Sequence, residues 1–187
     1  MVILNRIYTR TGDSGETGIG DGSRVSKLDA RIVAGGSVDE TNSQLGIAIA
    51  LCTDATAKTA LQKIQQRLFD LGADISCPWD PETQDDKCLR MTGTHIAELE
   101  SELDRVTERL SPLKSFVLPG GTPLAAVLHV ARSVCRRAEI DVLKLLQTAD
   151  INPQVAIYLN RLSDLLFVLA RAANNDGADD VLWVPGS

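Results

Sequence analysis

Past Lys27, apolar residues recur at alternating steps of three and four, the spacing that lays a single stripe along a helix facing a bundle interior. Val38, Leu45, Ile49 and Cys52 mark a first helix, and Leu61, Ile64, Leu68, Leu71 and Ile75 a second. Ile96, Leu99, Leu103, Val106 and Leu110 mark a third. The fourth is the best delimited: Thr122 is placed to cap it, Pro123 suits its first turn, and Leu124, Leu128, Ala131, Cys135, Ala138, Val142 and Leu145 follow in heptad steps. Asn152 and Pro153 repeat that start signal before Val155, Tyr158, Leu162, Leu165 and Leu169. Strand signals are confined to Ile7–Thr9 and Phe116–Leu118, so the pattern predicts an all-α fold, a five-helix bundle with a ferritin-like up-down core.

Two loops interrupt the bundle, Ser76–Met91 and Ser111–Gly121, and long loops are where binding residues concentrate. With 187 residues, 44% of them hydrophobic, the chain is expected to form a single domain. Residues 1–28 are read as an N-terminal loop, 29–174 as the bundle and 175–187 as a tail. That acidic tail reads as a frayed end, although Leu182, Trp183 and Val184 offer it something to dock with. A net charge of −6 argues against nucleic acid or a membrane surface as partner, since both reward a basic face. Cys52, Cys77, Cys88 and Cys135 show no zinc spacing with His95 or His129, and the N-terminus lacks a signal-peptide core. Free thiols and a cytoplasmic location are expected.

From Thr9 to Gly22 the chain reads T-R-T-G-D-S-G-E-T-G-I-G-D-G, with Lys27 just beyond. Glycines at that density allow positive φ and let backbone N–H groups converge on an anion, with polyphosphate the natural guest. A plain surface loop has the same composition, and neither a Walker A loop nor a dinucleotide fingerprint is present. Beside the apolar stripe of the fourth helix runs a polar one, His129, Arg132, Arg136 and Glu139, that stacks two guanidiniums one turn apart with a carboxylate beyond. Asn160 and Asp164 share a face of the fifth helix, with Arg161 beside them. Asp39, Glu40 and Asn42 are read into the first turns of the first helix, where acids suit the dipole. A solvated face explains each group as well as a ligand does. The absence of E-x-x-H removes a di-iron bundle, and sparse histidine argues against general-base chemistry.

Taken in order, T-R-T-G-D-S-G-E-T-G, S-R-V-S-K-L-D-A-R, V-D-E-T-N-S-Q-L-G, F-V-L-P-G-G, L-H-V-A-R-S-V-C-R-R-A-E and Y-L-N-R-L-S-D resemble the propanediol-utilisation-type ATP:cob(I)alamin adenosyltransferases, from about Ile7 to Asn174. The resemblance implies a homotrimer with active sites at subunit interfaces, using ATP, Mg²⁺ and cob(I)alamin. The reaction it implies moves the 5′-deoxyadenosyl group of ATP to cobalt(I) and releases triphosphate. By position, Thr9, Arg10, Thr11, Gly12, Thr17, Gly18 and Lys27 hold the phosphates. From a neighbouring subunit Arg136, Arg137, Ala138, Glu139, Ile140 and Asn160 complete the nucleotide site, and the metal rests mainly on phosphate oxygens. Phe116 matches the aromatic at the lower face of cobalt, and Asp39 is a partner for Arg132, since a buried interface Arg needs a carboxylate. A corrinoid reductase and an adenosylcobalamin-dependent enzyme are the partners implied; a non-catalytic ATP- and corrinoid-binding trimer is the alternative. Ile140 and Thr41 depart from the family pattern, where Arg and Leu are common.

Overall fold

The computed structural model describes residues 8–80, 82 and 88–186. A short antiparallel hairpin, β1 (Glu16–Gly18) and β2 (Arg24–Ser26), precedes five helices: α1 (Ala30–Leu51), α2 (Ala55–Ser76), α3 (Gly93–Thr107), α4 (Pro123–Leu146) and α5 (Gln154–Ala173). The five-helix bundle expected from the spacing is therefore present. Every stripe residue of the second, fourth and fifth helices except Leu124 is buried, and Leu124 packs half-buried against the same core.

Local chemistry sets the boundaries. Asp29 accepts from the Arg31 N–H at 2.8 Å and starts α1 well before Val38. Asp39, Glu40 and Asn42 therefore lie in its third and fourth turns, too far from the N-terminus for the dipole to account for them. Asp54 caps α2 through the Ala57 N–H at 2.6 Å. Thr92 and His95 form a reciprocal capping box on α3, which ends at Thr107, short of Leu110. Thr122 caps α4 through the Ala125 N–H at 3.1 Å, with Pro123 in the first turn.

Consecutive neighbours run antiparallel. α1 packs on α2 and α4, α5 packs on α4 and α3, and Lys63 to Glu98 at 3.1 Å ties α2 to α3, closing the ring. One end of the bundle thus gathers the start of α1 and α5 with the ends of α2 and α4; the other gathers the starts of α2 and α4 with the ends of α1, α3 and α5. Inside the first end, the fully buried Asp74 accepts from Arg90, the Met91 N–H and Asn152, each at 2.7 Å. That knot roots both ends of the Ser76–Met91 loop, and Arg90 also lies over the Trp79 ring at 5.3 Å.

The strand expectations need correction. Of Ile7–Thr9, Ile7 lies outside the described residues and Tyr8–Thr9 is not strand; pairing occurs instead inside the glycine-rich loop, where turns at Gly15 and Gly22 adopt positive φ. Phe116–Leu118 does pair, but with the tail: Val117 bridges Leu182, the Leu118 N–H donates to Val181 O at 2.7 Å, and the Trp183 N–H donates to Phe116 O at 2.8 Å. The tail is docked there, not frayed. Local composition cannot reveal a pairing partner that lies some sixty residues away.

Candidate active site

The glycine-rich loop folds over the first end of the bundle. Arg24 donates to Thr11 O at 2.7 Å, the Lys27 N–H donates to Gly15 O at 2.8 Å, and the Thr9 and Thr11 hydroxyls meet at 2.8 Å. Arg10 takes a positive φ of 63°. A side chain on Gly12 would stand 3.1 Å from Lys27 Nζ, so glycine there lets the ammonium lie along the loop backbone. Thr17 and Gly18 sit on β1, opposite Val25 and Arg24. Gly20 anchors the loop, its N–H donating to Ser76 O at 3.2 Å; a Cβ there would approach that oxygen to 3.0 Å and Cys77 Sγ to 3.2 Å. The result is a largely exposed loop, turned on its own backbone hydrogen bonds, with the Lys27 side chain laid along it.

A second cluster lies on α4 and α5. Arg132, Arg136, Arg161, Asp164 and Phe167 line a cavity of about 630 Å³ whose far wall is α3. Asn160 donates to Glu139 at 3.0 Å, and Arg161 pairs with Glu100 at 2.8 Å. Arg132 lies over the Phe167 ring at 5.9 Å, its buried Nε without a hydrogen-bond partner. Arg136 forms no ion pair among the described residues, whereas Arg137 turns toward α1 and pairs with Glu40. Ala138 is fully buried in the core, backbone included, and so is closed to a ligand within one chain, whereas Ile140 is exposed. His129 is buried edge-on to Phe167, 6.1 Å away; burial and then the Arg132 charge hold its pKa below the ordinary value. Both ring nitrogens are buried without a hydrogen-bond partner among the described residues.

Phe116 is 76% exposed at the opposite end, its ring 5.9 Å from that of Trp183. Asp39 is exposed in a groove between α1 and α2 beside Phe69 and Gly72, without an ion-pair partner among the described residues. Within one chain it does not meet Arg132, which faces α3 and α5. Nor does the loop meet Phe116: they sit at opposite ends of α4, whose 24 residues span about 36 Å. The structure brings together Arg132 and Arg136 around one cavity and Glu139 with Asn160 beside it, and keeps the loop residues on the exposed loop. Phe167 escaped the sequence reading, hidden by lying next to the apolar stripe of α5, while Trp183 was seen as a docking residue of the tail without its partner, Phe116.

Arginines lining a cavity on a helical scaffold make a site suited to an anionic substrate. The cobalamin adenosyltransferase family matches residues 7–173, and the chain belongs to that family. It is 50% identical to the corrinoid adenosyltransferase of Mycobacterium leprae, covering 98% of this chain and 97% of that one. It is 52% identical to the corrinoid adenosyltransferase of Mycobacterium tuberculosis (strain H37Rv), over 99% and 96%. A variant PduO-type ATP:corrinoid adenosyltransferase from Lactobacillus reuteri, solved with cobalamin and ATP, superposes with a TM-score of 0.88 at 38% identity, covering 96% of this chain and 97% of that one.

Proposed function

We propose that this chain transfers the 5′-deoxyadenosyl group of ATP to the cobalt(I) of a reduced corrinoid, releasing triphosphate, in a site closed between two copies. The observation that carries the intersubunit part is the split described above. The cradle with Lys27 and the cluster of Arg136, Glu139 and Asn160 occupy different parts of one chain, and each half is open. The exposed carboxylate of Asp39 on the α1/α2 groove complements the cationic α4/α5 face carrying Arg132, a head-to-tail contact that closes into a ring. A trimer is the ring size that the family resemblance implies, and light scattering on the purified protein tests it.

Cobalt(I) is itself a strong nucleophile, so attack at C5′ asks the protein for alignment and for neutralisation of the leaving group. Loop amides, Lys27 and Arg136 supply that positive field. Asn160, held by Glu139, is fixed to bond the nucleoside, while Arg137, engaged by Glu40, shapes the α1/α4 surface. Mg²⁺ on the phosphates needs only one or two protein oxygens, and the Thr9 and Thr11 hydroxyls are the nearest candidates; it would offset the triphosphate charge. An apolar Phe116 beneath cobalt excludes a lower axial ligand and eases reduction to cobalt(I). A reductase must supply that oxidation state, and an adenosylcobalamin-dependent enzyme consumes the product.

Incubation with ATP, Mg²⁺ and chemically reduced cobalamin is expected to give the adenosylcobalamin spectrum with one triphosphate per turnover. Tight binding of both substrates without product would instead establish a carrier, and phosphate release without adenosylation would establish a hydrolase.

A further inference from the structure

Phe116 is mostly exposed, so burial does not hold it, and its strand is joined to the tail by one bridge of two backbone hydrogen bonds and by the Ser115 hydroxyl, which donates to Trp183 O at 2.8 Å. A ribbon that small has no independent stability in water. Its order comes from its ends. Arg171, near the end of α5, donates to Asp180 at 2.7 Å and to Ser111 O at 2.9 Å, grasping the start of the tail strand and the start of the Phe116 loop. One turn later Asn174, fully buried, accepts from the Thr122 N–H at 3.0 Å and donates to Gly120 O at 3.2 Å and Asp180 at 3.3 Å. That holds the end of the same loop. The fit is tight, since a Cβ on Gly121 would stand 2.2 Å from Asn174 Oδ1. The Arg171 and Asp180 side chains are 8% and 2% exposed.

We infer that Arg171, Asn174 and Asp180 are positioning residues for Phe116, holding the loop and the tail strand in one register so that the Phe116 ring, buttressed by Trp183, is presented to the corrinoid at a fixed height. This rests on the reading of Phe116 as the residue facing cobalt. The clamp touches neither nucleotide nor corrinoid. Its effect belongs to the corrinoid half of the reaction, because the ATP cradle lies at the other end of the bundle.

The test uses the full chain, a chain ending after Asp180, and Asp180→Asn, the last in a Trp79→Phe background so that Trp183 alone fluoresces. Both clamp variants should lower the corrinoid turnover number about tenfold, as sub-ångström misplacement does, with KM for ATP within about twofold and far-UV circular dichroism unchanged. Trp183 emission should shift to the red in Asp180→Asn. Phe116→Ala combined with the truncation should be no slower than Phe116→Ala alone, as expected when both act through one ring. Multiplied losses, or full turnover with the tail removed while Phe116→Ala is impaired, would overturn the clamp. Full turnover in Phe116→Ala itself would overturn the underlying reading instead. Should Asp180→Asn fail to fold, Arg171→Lys, which keeps the charge but not both the Asp180 and Ser111 contacts, replaces it with the same turnover, KM and double-variant readouts.

Discussion

Replacing Asp74 by alanine is expected to be among the most damaging single changes in this bundle. Its carboxylate is fully buried and accepts three hydrogen bonds at 2.7 Å, from Arg90, from the Met91 N–H and from the Asn152 amide. Met91 and Asn152 are 2% and 1% exposed, so water cannot replace the lost acceptor. Each stranded neutral donor costs about 1–3 kcal/mol. The Arg90 side chain is only 18% exposed but keeps the Cys77 and Pro78 carbonyls, and Asn152 keeps Met91 O, so the total stays at about 3–5 kcal/mol, that of a broken buried pair, and below the full sum. For a chain of this length each kcal/mol lowers the melting temperature by about 2–4 °C, so a drop of about 6–20 °C follows. Thermal melts by far-UV circular dichroism measure it, and Asp74→Asn, which keeps one acceptor oxygen, should fall between the two. A loss below about 1 kcal/mol for Asp74→Ala would refute the accounting, because it would require water to reach a site that the packing closes.

Arg136→Ala should lower adenosylcobalamin formation by about 10²–10³-fold, the loss typical of one group aimed at developing charge, with a melt close to the parent's because the side chain is exposed and unpaired. Asp39→Asn should weaken corrinoid turnover more than ATP binding by calorimetry; equal loss of both would count against its pairing with Arg132. Burial raises the Asp141 pKa, but hydrogen bonds from Lys144 at 2.9 Å and Ser37 at 2.7 Å outweigh it and hold the group below its ordinary 3.8. A carboxylate depressed on folding stabilises the fold above its unfolded pKa and loses that contribution as pH falls through the folded value. Melts of Asp141→Asn against the parent should therefore converge below about pH 4, and a constant offset down to strongly acid pH would contradict the assignment.

The helices were legible because burial enforces a 3.6-residue period: Leu61 to Ile75 and Leu128 to Leu145 announce their buried faces whatever surrounds them. The first turns of α1 carried no stripe, since Ala30 to Gly36 hold too few bulky apolar residues to mark one. The cradle and Arg136 could be nominated from residue type, yet their separation within one chain could not, because it depends on which ends of the helices meet. The partner of Trp183 and the Arg171–Asp180 pair were invisible for a related reason: Phe116 and Ser111 lie about sixty residues away in sequence and nothing local marks the association.

The division of the proposed site between two faces of each chain also bears on inheritance of damage. In the arrangement proposed, a chain with a spoiled cradle, such as Lys27→Ala, still offers a sound Arg136 face to its neighbour, and an Arg136→Ala chain still offers a sound cradle. Every three-membered ring containing both then regenerates one undamaged junction. Two inactive proteins refolded together in equal amounts should thus recover about a quarter of the parental rate. Lesions on the two faces would behave genetically as complementing alleles, although they lie in one gene.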